Sequence, residues 1–232
     1  MNNESAVTSF PPAAADAPAR TAGAVRGNRA RGDSTRQHIL NVAIEMIARS
    51  GGRHGASISD IAAAAGVSKT GLLHHFPTKD ALLNATLDYR DQIDRLGEPT
   101  WEITGLELFD QIERDIREWQ QRPLALGLFT MLLTENLNPG DPLHERLLER
   151  GHAIHDSFAE ALERGKVRGD IRAEVDSGVV ADMVIAFLNG LETYWQLDPQ
   201  IPLEAITAQW KATMTLQIAT AAGLKGRPTQ PG

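Results

Sequence analysis

The stretch Ser57–Lys79, SISDIAAAAGVSKTGLLHHFPTK, allows few folds. Ser57 has the chemistry of a helix N-cap and Asp60, three residues on, favours the positive end of the helix dipole. The short helix Ile58–Ala65 that follows directs Ile61 and Ala62 inward. Gly66 admits the left-handed backbone that a sharp turn requires, and Val67 fills the angle between helices. Ser68 then caps a further helix that offers Leu72, Leu73 and Phe76 to a core before Pro77 stops it. Two short helices crossing at small apolar residues about a glycine-bearing turn form a helix-turn-helix. The same pattern also fits a small helical hairpin with no nucleic-acid role, so the motif alone leaves two alternatives open.

The flanks continue the helical pattern. Ser34 and Gln37 have capping-box spacing, and Ile39, Leu40, Ala43, Ile44 and Ile47 repeat at helical period up to Ser50-Gly51-Gly52. Thr78 caps a fourth helix reaching to about Leu96. Five more stretches follow, Leu106–Gln121, Leu124–Leu137, Pro142–Arg168, Asp176–Leu197 and Leu203–Ala222, separated by Pro-, Gly- and Asp-bearing breaks. No segment alternates at period two. The expectation is an all-α chain of about nine helices. It comprises a disordered basic tail (1–33), a helix-turn-helix domain (34–80), a helical body (81–222) and a frayed end (223–232). The tail expectation rests on Ala, Pro, Gly, Ser and Arg with almost no large apolar residue. A basic arm of this kind, with Arg20, Arg26, Arg29 and Arg31, has the charge to reach phosphates or a minor groove, and a tail that only solubilises the chain is the alternative.

Charge is divided unevenly. The net charge of −7 argues at first against a polyanionic partner. Residues 17–80, however, hold nine Lys and Arg against four Asp and Glu, whereas residues 81–232 hold fourteen against twenty-four. A basic N-terminal third on an acidic body suits a DNA-binding domain joined to a domain of another purpose. The chain has no cysteine, which excludes disulfides and thiolate metal sites. No apolar run reaches the roughly 20 residues of a membrane span, and no signal peptide is evident, so a cytoplasmic location is expected.

Thr35–Ala85 resembles the N-terminal domain of the TetR family of transcriptional regulators. The likeness lies in the first helix, Ser57-Ile-Ser-Asp-Ile-Ala, Ala65-Gly66-Val67-Ser68-Lys69, Leu72, His74-His75-Phe76-Pro77, Lys79 and Ala81-Leu82. It implies that the third helix enters a major groove, with Lys69, Thr70, Gly71 and His74 near base edges. Ser57, Ser59 and Lys79 match positions that meet phosphates, and Ser68 and His75 complete the DNA-facing set. Hydroxyls, helix N-terminal N–H groups and an ammonium are all suited to phosphate. Two departures stand out: Leu73 occupies a position where the family usually has Tyr, and Thr70-Gly71 reverses the frequent Gly-Thr order. The first removes a phosphate contact or moves it to His74, and the second removes a side chain from one base-proximal position.

For the body the resemblance implies a symmetric dimer through the last two long helices, with Val180, Val184, Phe187, Leu188, Leu191, Ile206, Trp210 and Met214 as interface candidates. It also implies a small-molecule pocket, for which Trp101, Phe109, Trp119, Phe129, Met131, Phe158, Met183, Tyr194 and Trp195 are the aromatic and methionine candidates. Glu135, Asn136, His155, Asn189 and Glu192 are candidate polar selectors. Glu149 and His152 have the i, i+3 spacing of di-iron bundles, but no second such pair accompanies them, and no metal or other cofactor is expected. No catalytic residue is assigned: the chain has no P-loop, dinucleotide fingerprint or nucleophile elbow. The expected function is that of a dimeric repressor released from a palindromic operator by a small-molecule effector, with no membrane partner. A DNA-binding adaptor with a protein partner, or an all-helical enzyme, is the alternative.

Overall fold

The computed structural model describes residues 21–50, 55–93, 103–121 and 123–225. Ten helices are present among them: α1 Thr21–Arg49, α2 Ile58–Ala64, α3 Lys69–His75, α4 Lys79–Ile93, α5 Glu107–Trp119, α6 Pro123–Glu135, α7 His144–Arg168, α8 Ser177–Leu197, α9 Leu203–Ile218 and α10 Ala221–Lys225. No strand occurs among the described residues; Ile171 and Ala219 form an isolated antiparallel bridge.

The chain divides into two units, Met1–Gln37 and His38–Gly232. In the first, the described residues form the N-terminal part of α1. That helix starts at Thr21, so Ser34 lies within it rather than capping it, and residues 21–33 are helical where composition pointed to disorder. Scarcity of large apolar residues limits burial, whereas Ala and Arg favour helix and no proline lies between Pro18 and Pro77. Residues 1–20, with Arg20, lie outside the described part of the chain.

The second unit has two hydrophobic cores. One joins Ile39, Leu40, Ala43, Ile44 and Ile47 of α1 to Ile61, Leu72 and Phe76, to Leu82, Leu83 and Leu87 of α4, and to Leu128, Phe129, Leu132 and Leu147. The other joins Leu108, Phe109, Ile112 and Ile116 of α5 to Leu126, Ala161, Leu162, Val180, Val184, Trp195, Met214 and Ile218. Helices α6 and α7 therefore contribute to both. Their connection is stapled by the buried Asn136. Its side-chain amide donates to Leu132 O at 2.7 Å and its Oδ1 accepts from Leu143 N at 3.1 Å. The ring Nδ1 of His144 lies 3.1 Å from Asn136 O.

The end of the chain differs from expectation. The last helix stops at Ile218 instead of running to Ala222. Arg172 N donates to Ile218 O at 2.9 Å and Thr220 N to Asp170 O at 2.8 Å, so the loop after α7 takes backbone bonds that a continuing helix would use. The chain resumes as α10, and residues 223–225 are helical rather than frayed.

Where the start of α5 crosses α7, Gly105 N donates to Ala161 O at 2.8 Å. A Cβ on Gly165 would lie 2.3 Å from the Gly105 Cα, closer than real atoms approach. Gly165→Ala should accordingly cost about 3 kcal/mol or prevent folding, through overpacking against backbone that cannot swing aside. Urea unfolding measures the loss; an unchanged midpoint would contradict the crossing.

Candidate nucleic-acid interface

The head is assembled by local hydrogen bonds. Ser57 caps α2 in a reciprocal box: its Oγ accepts from Asp60 N at 3.2 Å, and Asp60 Oδ2 accepts from Ser57 N at 3.0 Å and from the Ser57 hydroxyl at 2.6 Å. The end of α2 is a Schellman motif, with Val67 N on Ala62 O at 3.0 Å and Gly66 N on Ala63 O at 3.1 Å. Gly66, at φ 65°, supplies the left-handed residue. Ser68 Oγ accepts from Gly71 N at 2.9 Å and Thr78 Oγ1 from Ala81 N at 3.0 Å, so α3 and α4 each begin on a side-chain cap.

With Leu72 fully buried, the helical period of α3 turns Thr70 and His74, one turn apart, directly outward. Lys69 is exposed beside Thr70, and Ser59 and Ser68 are exposed at the starts of α2 and α3. The Ser68 hydroxyl accepts its one hydrogen bond among the described residues and retains its proton for donation. Gly71, Leu73 and His75 are half-buried. His75 leans toward Phe76, ring centroids 6.4 Å apart, and meets the exposed His74 edge-on at 5.6 Å. His74 thus belongs to the outward face and His75 supports the packing behind it.

Two residues assigned to phosphate hold the head together. The single proton of Ser57 is committed to the Asp60 carboxylate. Lys79, half-buried at the start of α4, donates its ammonium to the carbonyl of Ala56, tying α4 to the approach of α2. Asp60 and Lys79 also attract one another. The Ser57 bonds, then the Lys79 charge, hold the Asp60 carboxyl below its ordinary value of 3.8. Sequence spacing could identify the box, but the Lys79–Ala56 contact spans the whole helix-turn-helix and has no local signal.

The body residues form three groups. Phe109, Phe187 and Trp210, drawn respectively from the pocket and interface sets, make one aromatic stack. The rings of Phe187 and Trp210 are parallel at 4.1 Å, and Phe109 meets Trp210 edge-on at 5.6 Å. Trp195 is buried in the same core, with Trp119, Phe158, Leu188 and Ile206 packed against it. Val180, Val184, Leu191 and Met214 also lie inside that core and are unavailable to a partner. Phe129 lies in the other core beneath the Arg150 guanidinium, and Met131 is half-buried. Met183 and Tyr194 face outward. The candidates do not converge on one pocket; Trp101 lies outside the described residues.

Of the polar candidates, Asn136 is the loop staple and Glu192 is buried, accepting from Thr130 Oγ1 at 2.7 Å. His155 sits 3.1 Å from Asp156 and 3.9 Å from Asp182; the Asp156 bond chiefly raises its pKa above the ordinary value. No group of three or more His, Asp or Glu among the described residues converges as a metal site. None of the described helices is long and apolar enough to cross a membrane.

An exposed polar recognition face on a helix-turn-helix, carried by an all-helical body, defines the chain as a helix-turn-helix DNA-binding protein. Residues 39–86 match the family model for bacterial regulatory proteins of the tetR family. The head is thus similar to the DNA-binding domain of the tetR family, and the relatives support reading the chain as a regulator of that kind. Over 166 residues it is 26% identical to the HTH-type transcriptional regulator UidR of Escherichia coli (strain K12), covering 68% of this chain and 82% of that one. The likeness to the regulator RutR of the same organism is 44% over 70 residues, 29% of this chain and 32% of RutR. Among solved structures, the SmeT–triclosan complex superposes with a TM-score of 0.71 at 20% identity, over 86% of this chain and 98% of that one. The chain is a DNA-binding transcriptional regulator.

The capping box makes the head acid-sensitive. Because the Asp60 pKa is depressed on folding, its contribution is present above pH 3.8 and is lost as pH falls through the lowered folded value. Asp60→Asn should lower Tm at pH 7, and the difference from wild type should vanish in strong acid. A difference independent of pH would refute the box as its source.

Proposed function

We propose that the chain is a cytoplasmic, non-enzymatic dimeric repressor, released from a palindromic operator when a small-molecule effector enters its helical body. The observation that carries this reading is an apolar stripe left uncovered on α8 and α9. Val179, Met183, Ala186, Gly190, Tyr194 and Leu197 fall within one narrow arc of α8, and all are exposed. Val179 is 54%, Tyr194 52% and Leu197 81% exposed. On α9, Ala205, Ala208, Ala212 and Leu216 form a matching arc, Leu216 being 68% exposed. These residues stand about one position away from the buried stripe of Val180, Val184 and Leu191. Both sides of α8 are apolar; one packs the chain's own core and the other suits a second copy.

A two-fold pair places two α3 helices about one DNA turn apart and calls for inverted half-sites. Thr70 and His74, with Lys69 beside them, are the proposed base readers; Ser59 and Ser68 are the proposed phosphate donors. The SmeT structure is a complex with triclosan, which supports a small-molecule effector for a chain of this fold.

Leu197→Glu should convert the dimer to monomer by light scattering and lower operator affinity by about tenfold or more, since each half-site then binds alone. Retention of both dimer and affinity would overturn the assignment. Lys69→Ala and Thr70→Ala should each change base preference at one position per half-site in selection from random DNA. Lys79→Ala should weaken binding to every sequence, flatten the salt dependence by about one unit of slope and lower Tm, because it removes both a cation and the α4–α2 tie. Loss of affinity without loss of Tm would contradict the tie to Ala56.

A further inference from the structure

Five of the described helices begin on a side-chain cap whose oxygen accepts from the backbone three residues on. Ser57 bonds Asp60 N at 3.2 Å, Ser68 bonds Gly71 N at 2.9 Å, Thr78 bonds Ala81 N at 3.0 Å, Asp176 bonds Val179 N at 3.1 Å and Thr220 bonds Gly223 N at 3.0 Å. The same cap therefore closes over Asp, Ala or Val, and two of the five have glycine instead.

The fold accounts for only one of those glycines. A Cβ on Gly223 would lie 2.4 Å from Asp170 O, on backbone that cannot swing aside. Gly71 meets nothing of that kind. Its backbone is not left-handed; the described glycines at positive φ are Gly66, Gly105 and Gly169. Apart from its chain neighbours and the backbone of α3, a Cβ at position 71 would have only Ser68 Oγ within 4 Å, at 3.1 Å. That oxygen sits on an exposed side chain that can yield, and the Thr78 cap is equally tight over Ala81. Glycine destabilises a helix relative to alanine, so Gly71 weakens α3 without serving its packing.

The missing side chain leaves a notch on the DNA-facing helix. Ser68 stands three residues before Gly71, and His74 and His75 stand three and four after it, so their side chains border the gap. Gly71 itself is partly exposed at the floor. Its N–H is taken by Ser68 Oγ, so the floor offers no donor to a phosphate and presents C–H surface. In the major groove, the group that matches an apolar notch the size of one methyl is the 5-methyl of thymine.

We propose that Gly71 is a specificity-determining residue whose missing side chain admits the 5-methyl group of one thymine in each operator half-site. The inference rests on the assignment of α3 as the base-reading helix and adds the base selected at one position. A methyl seated on Gly71 leaves water and favours thymine over cytosine, which pairs differently and carries no such group. A Cβ at position 71 would claim the same space.

Operator duplexes recovered by selection from random DNA are resynthesised with deoxyuridine in place of each thymine in turn, symmetrically in both half-sites. Uracil pairs as thymine does and lacks only the methyl. At one thymine per half-site the replacement should weaken binding by the wild-type chain about tenfold, the effect of losing two buried methyl groups. Gly71→Ala should bind the thymine duplex about tenfold or more weakly than wild type does. On the uracil duplex it should come within about threefold of wild type, because removing one methyl makes room for the other. Its Tm should equal or exceed that of wild type, since alanine is the better helix former.

Equal weakening of both duplexes by Gly71→Ala would overturn the proposal, because the glycine would then serve approach to the sugar–phosphate backbone. A lowered Tm would overturn it by showing that the fold demands glycine there. Indifference of the wild type to every uracil replacement would overturn it without recourse to a variant. Failure of the wild type to bind any duplex would instead overturn the DNA-reading function, and the notch with it.

Discussion

Helix α7 belongs to two cores at once, and the architecture depends on that continuity. Leu147, near its start, is buried with the residues of the head and α4; Ala161 and Leu162, four turns on, are buried with α5, α8 and α9. An α-helix transmits displacement along its axis because each turn is hydrogen-bonded to the next. A shift of the second core relative to α7 is therefore carried into the first. Helix α6 repeats the arrangement over a shorter distance, with Leu126 in one core and Leu128, Phe129 and Leu132 in the other. Asn136 locks the two helices at their junction, so they respond as a pair.

Much of the head was legible in the sequence because its determinants are local. Caps at Ser57, Ser68 and Thr78, the Gly66 turn and the inward Ile61 and Leu72 all act over three or four residues, the range over which spacing alone specifies geometry. The body was legible only as helices. On α8, Val180 and Val179 are equally apolar neighbours, yet one is buried and the other exposed. Which stripe faces the chain's own core depends on α7 and α6, and hydrophobic periodicity cannot rank two apolar faces of one helix. Of the interface candidates, Val180, Val184, Leu191 and Met214 therefore lie in the core, and Phe187, Leu188, Ile206 and Trp210 are half-buried against it. The start of α1 was missed on different grounds: poverty in large side chains bears on burial, not on backbone propensity.

The polar contacts that tie distant elements together were invisible for a related reason. Lys79 meets Ala56 across 23 residues, and Arg150 meets Asp91 across 59. The i, i+3 pair Asp88 and Asp91 and the i, i+4 pair Arg146 and Arg150 were both present as patterns, but each alone reads as a solvated helix face. Only the packing of α4 beside α7 turns two ordinary charged faces into a partly buried network.

That network also bears on the uneven charge of the chain. A basic head must approach a polyanion, and an acidic body resists it; the two must be joined without the body's carboxylates neutralising the head's cations. At the junction the carboxylates of Asp88 and Asp91 are turned onto α7 arginines, and at the reading end Asp60 is consumed by its own cap and by attraction to Lys79. Acidic groups on either side of the recognition face are thus occupied internally. Lys69 stands on that face with Thr70 and His74 as the exposed groups beside it. Carboxylates paired in this way offset less of the charge that Lys69 presents on α3.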